Sequence, residues 1–264
     1  MEKIIINIDS KYRDKELYPN SSKFSIPLDR TIKNMIDIKI SSVEFSNLSY
    51  FLFSNFKNNI TFMFTINAIN YYLKIADGFY SSNVLIKSIQ DQFDILLLNN
   101  PNQMTITLNP ITGKVTLSGT SSFSIDFSNN SNYPSLGYYL GFINNSYLNK
   151  LSITCESILN LSIDNYLFLK VNNYGSMYAN LSNNEKNILY PYNILGKIIL
   201  DLNKTTGSFD NNNLITKEYI FRKPVNISKF DIELLDPYGT PIDMLFSDFS
   251  FTLELNYIYD FNPY

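Results

Sequence analysis

Along most of the chain, apolar and polar residues alternate with a period of two, the pattern of strands that bury one face. The clearest run is Phe249 to Tyr257. Phe249, Phe251, Leu253, Leu255 and Tyr257 point one way, while Ser250, Thr252, Glu254 and Asn256 point the other, so the run cannot be an amphipathic helix. Ile36, Ile38 and Ile40 alternate with Asp37, Lys39 and Ser41, and Val43 and Phe45 continue on the opposite parity. Ile60, Phe62, Phe64 and Ile66 repeat the pattern. Shorter strands are predicted at Lys3–Ile8 and at Phe24–Leu28, the latter with Pro27 near its end.

One segment follows a helical period. Leu85, Ile89, Phe93 and Leu96 fall on one helix face, Ser81 or Ser82 can cap the start, and Asn99-Asn100-Pro101 stops it. The spacing predicts a helix over 82–97. A hairpin follows: Met104, Ile106 and Leu108 face Val115 and Leu117 across Asn109–Gly113, with Gly113 available for positive φ. Phe123–Phe127 is a third strand of this group, and Pro134–Phe142 reads as a short helical turn.

From Ser146 strands return, at Ser152–Thr154, Leu161–Val171 and Ile194–Leu202, then at Tyr219–Phe221 and Val225–Leu235 on either side of Pro224. Asp236-Pro237-Tyr238-Gly239 is a β-turn, and Asn172–Lys186 and Lys204–Asn213 are polar loops, the first expected to be the most mobile. Many strands joined by turns predict a mostly β chain built as a jelly-roll-like β-sandwich. The helix and hairpin block has a different texture. Residues 1–57 and 146–264 are therefore assigned to the sandwich and 58–145 to an inserted α+β subdomain carrying one helix. An independent second domain is the alternative.

Composition sharpens this picture. Charged residues make up 17% of the 264, below the usual quarter, and Asn, Ser and Thr supply the polarity instead. The 20 Tyr and 20 Phe favour strands. A net charge of −3 and the lack of a basic tract argue against nucleic-acid binding. Cys155, the single cysteine, has no disulfide partner in the chain and is expected to be an inert thiol in a reducing compartment. Met1–Asp9 reaches charge too quickly for a signal peptide. No apolar run approaches the ~20 residues that span a bilayer, so no direct membrane insertion is expected.

The absence of histidine removes Ser-His-Asp and Cys-His nucleophile systems, and with one cysteine it removes the usual zinc sites. Neither a P-loop nor a G-x-G-x-x-G fingerprint occurs. Carboxylates remain: Asp164, Asp201, Asp231 and Glu233. Two acids facing one groove could hydrolyse glycosides. Alternation instead puts Asp231 and Glu233 on a solvated face opposite Phe230, Ile232 and Leu234, and no Trp is present to stack on a sugar. No catalytic, cofactor-binding or metal-binding residue is assigned. The cluster Asp9, Arg13 and Asp14 reads either as a metal or ion-pair site or as a solvated turn, and the solvated turn is the expectation. The aromatics Tyr71, Tyr72, Phe79, Tyr80, Tyr138 and Tyr139 read as core or interface, each adjacent pair placing one ring inside and one outside.

Four ordered stretches resemble minor capsid or penton-type virion proteins of nucleocytoplasmic large DNA viruses, especially mimivirus-like ones, and of related virophage and Polinton-type elements. Ile8-Asp9-Ser10-Lys11-Tyr12-Arg13-Asp14 with Tyr18-Pro19-Asn20-Ser21-Ser22-Lys23-Phe24 is similar to their "IDS-x-x-R-D … YP-x-x-x-x-F" opening. Ala76–Tyr80 resembles their helix entry, Leu136–Phe142 their "LGYxLGF" segment, and Ile232–Leu255 their "I-x-L-x-D-x-x-G-x-P-x-D … F-x-L-E-L" ending.

The resemblance implies a structural virion protein with a jelly-roll-like domain and no enzymatic site, and transfers no functional residues. It implies a capsid location, assembly in the host cytoplasm, and partners among the major capsid protein and neighbouring minor capsid proteins. A homo-oligomer is expected, with a pentamer as the vertex form. Interface roles are expected for the loops Asn172–Lys186 and Lys204–Asn213 and for an N-terminal arm up to Asn20, whose deletion should spare the fold. The alternative is a carbohydrate- or receptor-binding module of fibre-head type, using exposed Tyr and Asn.

Overall fold

The computed structural model describes residues 1–46, 52–98, 103–161, 166–175, 177–179, 190–199, 206–210, 218–244 and 247–258. In chain order the elements begin with β1 (Glu2–Asp9), a 3-10 turn (Ser10–Tyr12), β2 (Lys23–Ser46), β3 (Thr61–Ile66), β4 (Ile69–Lys74) and α1 (Ser82–Leu96). Then come β5 (Met104–Leu108), β6 (Val115–Asp126), α2 (Leu136–Tyr139), β7 (Ser146–Thr154) and β8 (Tyr166–Val171). The chain finishes with β9 (Met177–Ala179), β10 (Tyr190–Tyr192), β11 (Gly196–Ile199), β12 (Thr206–Asp210), β13 (Glu218–Leu235) and β14 (Phe249–Tyr257). Two compact units result, Met1–Tyr50 with Asp164–Tyr264, and Phe51–Ile163.

The second unit therefore extends beyond 58–145 at both ends. Phe53 bridges to Gly78 and is buried in that unit's core. β7, whose residues were placed with the sandwich, pairs with β6 instead. The pairing buries Ile153, and Thr116 and Ser118 bond their hydroxyls to those of Thr154 and Ser152 at 2.9 Å each.

The main sheet of the first unit is antiparallel, in the order β1-β14-β2-β13-β8-β11 with β12 also on β2, and β9 and β10 form a separate two-stranded sheet. The main sheet closes over itself as a sandwich. From Phe24 to Phe45 a straight strand would cover ~70 Å at about 3.3 Å per residue. Yet the Phe24 ring lies 6.1 Å from that of Phe249, the register partner of Phe45. β2 must bend back, and the irregularities that bend it are visible. Asn34 has φ 56°, and register shifts fall beside Met35 on both flanking strands. A further shift between Thr252 and Leu253 lets Ile40 and Val43 both face the core, which is the parity change seen in the sequence.

Ile8, Phe24, Ile38, Phe230, Phe251 and Leu253 fill the space between the layers, each contributing roughly 1.5–3 kcal/mol by burial. This is the mostly β, jelly-roll-like sandwich expected.

Three loop or break assignments change. β13 runs unbroken through Pro224, which sits in a register shift where no ladder donor is needed. Residues 206–210 of the expected loop Lys204–Asn213 form β12, and the rest of it lies outside the described residues. Within Asn172–Lys186, Met177–Ala179 pairs with Tyr190–Tyr192 as β9 and β10, while 176 and 180–186 lie outside the described residues.

The second unit is a sheet of order β4-β3-β6-β5 with β7 on the far side of β6. α1 lays Leu85, Ile89 and Phe93 on this sheet, and Ser81 caps it by accepting from the Val84 amide. Phe93 packs edge-on against Phe62 and Phe64, at 6.1 and 5.1 Å. Ser135 caps α2 in the same way. Within α2, Gly137 passes so close to Phe127 that a Cβ there would stand 2.3 Å from a ring carbon. β4 went unpredicted because only Leu73 of its residues is fully buried.

Candidate interaction site

The residues from Ile8 to Phe24 do not form a free arm. β1 pairs with β14 over eight residues, Glu2↔Tyr257 through Asp9↔Ser250. Asp9 then caps the 3-10 turn by accepting from the Lys11 amide at 3.0 Å. Burial works against the Asp9 carboxylate, but hydrogen bonds from the Lys11 side chain and backbone prevail and hold its pKa below the ordinary value. Asp14 accepts from the amides of Glu16 and Leu17, each at 3.0 Å. Both acids behave as turn residues.

Arg13 does not fit the solvated-turn expectation. It is 8% exposed and donates four hydrogen bonds: to Asp248 Oδ1 at 2.5 Å, to the Ser10 carbonyl at 2.8 Å, to the Tyr18 carbonyl at 2.8 Å and to the Pro19 carbonyl at 2.9 Å. Ser10 Oγ donates to the same Asp248 oxygen at 2.9 Å and accepts from the Phe249 amide at 2.9 Å. Ser21 Oγ donates to the Ser247 carbonyl and Asn20 Nδ2 to the Ile242 carbonyl, at 2.5 and 3.2 Å. The N-terminal loop is thus stitched to the segment that leads into β14. Removing residues 1–20 takes away an edge strand and this clasp, so the fold would not survive unharmed.

The candidate acids divide. Asp164 and Asp201 lie outside the described residues. Phe230, Ile232 and Leu234 are buried, with Asp231 and Glu233 on the opposite face. Glu233 bonds Lys23 and Lys170, each at 2.9 Å, which ties β2, β13 and β8 together. Burial opposes its ionisation, yet the bonds from Lys170 and Lys23 win and lower its pKa. Asp231 accepts from Ser25 at 2.7 Å and Lys229 at 3.0 Å, and the Ser25 bond leads the causes that lower its pKa. A glycosidase acid needs its pKa raised, so neither carboxyl is tuned for that role.

The aromatic pairs split as expected. Tyr71 stacks on Phe64 at 5.1 Å while Tyr72 is 73% exposed. Tyr139 is buried against Phe53, and Tyr138 is exposed. Tyr80 donates to the Ala76 carbonyl at 2.6 Å, beside the half-exposed Phe79. Cys155 is buried, burial pushes its thiol pKa up, and its sulfur bonds the Val115 amide and the Ser157 carbonyl.

Sheet edges offer unpaired backbone groups to a neighbour. The outer edge of β5 is closed by a side chain. Gln90 of α1 donates to the Met104 carbonyl at 3.1 Å and accepts from the Ile106 amide at 3.0 Å, imitating the missing strand. β1 and β7 pair on one side only among the described residues. On β7, Asn149 sits at φ 53° beside exposed Lys150, an irregularity that discourages indiscriminate pairing.

Two solved structures align along nearly the whole chain. The crystal structure of the selenomethionine-labelled mavirus penton protein gives a TM-score of 0.49 at 14% identity, covering 98% of this chain and 100% of that one. The 3.5 Å cryo-EM structure of the Sputnik virophage gives 0.48 at 11% identity, covering 97% and 98%. No family model matches. No curated protein matches. Asp248 and Gln90, which organise the clasp and the closed edge, were not singled out by the sequence because each acts through a partner on another element.

Proposed function

We propose that this chain is a structural component of a virion, a minor capsid or penton-type vertex protein that assembles through loops and sheet edges and catalyses no reaction. One observation carries the reading. The first and last of the four stretches that resemble virion proteins, Ile8–Phe24 and Ile232–Leu255, come together as the Arg13–Asp248 clasp. Arg13 of the opening motif is held by Asp248, which lies between the two halves of the last stretch, so the two ends that carry the resemblance are joined in one structural contact.

The partners are the major capsid protein, neighbouring minor capsid proteins and further copies of this chain, with a pentamer as the closed form. The place is the capsid, filled in the host cytoplasm. Mass photometry of the purified full chain, alone and mixed with the major capsid protein, tests this. A homo-oligomer that forms a stable complex with the major capsid protein is expected. A monomer that ignores it would overturn the reading.

A further inference from the structure

β13 and β14 both pair with β2 around Met35–Lys39, so they lie on its opposite sides. On the β13 side the ladder continues along β2 past Ile32 and Pro27 to Lys23. On the β14 side the last described contacts are Tyr257↔Met35 and a bond from the Ile258 amide to the Asn34 carbonyl at 3.1 Å. β14 runs antiparallel to β2, so its direction at Ile258 points along β2 from Lys33 toward Arg30. In that direction lies a groove of about 430 Å³, lined by Ile4, Arg30, Ile32, Lys33 and Ile258 among others.

The chain itself carries an occupant of matching length and chemistry. Tyr259, Asp260, Phe261, Asn262, Pro263 and Tyr264 follow Ile258 and lie outside the described residues. Each extended residue advances about 3.3 Å, on either strand, so Tyr259–Asn262 can span Lys33–Arg30 one for one. Tyr259, Phe261 and Tyr264 are aromatic, and the groove offers them Ile4 and Ile32, which the sandwich core buries only in part. Asp260 is the one charged side chain among the six, while the described lining of the groove holds Arg30 and Lys33 and no acid. Pro263 has no amide hydrogen to give, so a ladder would stop before it.

We propose that residues 259–264 of the same chain fill this groove, extending β14 along β2 as a strap. Main-chain bonds between Tyr259–Asn262 and Lys33–Arg30 hold it, aromatic rings cover Ile4 and Ile32, and Asp260 sits among the cations. The strap withdraws this edge of the sandwich from pairing with neighbouring molecules, which an uncovered edge beside an apolar groove would invite. The inference narrows which edges can serve assembly, and it stands whether or not the chain is a virion subunit.

The test compares amide hydrogen exchange of the full chain with that of a variant ending at Ile258, each at several protein concentrations. Exchange at 30–33 should be slow in the full chain and about tenfold or more faster in the shortened one, at every concentration. Exchange at Phe249–Leu253 should be the same in both, which separates a lost strap from a loosened sandwich. Phe261→Ala and Asp260→Lys in the full-length chain are milder variants, and each should speed exchange at 30–33; they decide the matter if the shortened chain does not fold. Equal exchange at 30–33 with and without 259–264 would overturn the proposal, and so would two milder variants that both exchange like the parent. Protection that appears only as the concentration rises would also overturn it, because a second copy would then supply the strap. The measurement is made on the isolated chain, so its failure leaves association with the major capsid protein untouched, and the reverse also holds.

Discussion

Arg13 and Asp248 lie 235 residues apart in sequence and meet at 2.5 Å. The guanidinium is 4% exposed and the carboxylate 28%. Three backbone carbonyls take three more of the five Arg13 donors, so the pair is a hub, not a surface contact. It fixes the N-terminal loop against the start of β14, the strand that lies between β1 and β2.

Arg13→Ala should therefore cost about 2–4 kcal/mol, because it strands a partly buried carboxylate and three carbonyls. Arg13→Lys should recover little, since an ammonium lacks the planar fork that serves Ser10, Tyr18 and Pro19 together. Urea unfolding followed by far-ultraviolet circular dichroism checks both.

Acid should weaken the first unit through Glu233. Its pKa is lowered in the fold, so its contribution is complete above the unfolded carboxylate value of about 4.3 and is lost as pH falls through the lower folded value. Glu233→Gln should flatten this acid limb and cost about 0.5–1 kcal/mol near neutrality. Melting temperature measured against pH for parent and variant reads the difference.

Gly137→Ala should destabilise the second unit by about 1–3 kcal/mol, against the ~1 kcal/mol that helix propensity alone would return. The cause is the Phe127 ring, which a Cβ would meet at 2.3 Å. Thermal unfolding of the variant decides between propensity and packing by the sign of the shift.

Gln90→Ala should leave the Met104 carbonyl and the Ile106 amide without their side-chain partner, at a cost of about 1–3 kcal/mol. Amide exchange at Ile106 should accelerate, and self-association through the opened β5 edge should rise with concentration. Hydrogen-exchange mass spectrometry and size-exclusion chromatography measure the two effects.

Much of this fold was legible because its determinants are local. The alternation at Phe249–Tyr257, the Leu85/Ile89/Phe93 helix face and the turn at Gly113, where φ is 67°, each declare themselves within a few residues. β2 did not, because its bend at Asn34 and its shift beside Ile40 break parity and so resemble strand ends. β12 did not, because Thr206, Gly207 and Ser208 carry no apolar period and pair only through a distant part of β2. Arg13 looked like a surface charge because its partner comes from the other end of the chain.

Quantitative mass spectrometry of gradient-purified particles tests the central claim most directly. A structural subunit should be retained through purification at a fixed copy ratio to the major capsid protein, and Arg13→Ala should lower that ratio. Particles that are infectious and complete without the chain would contradict it.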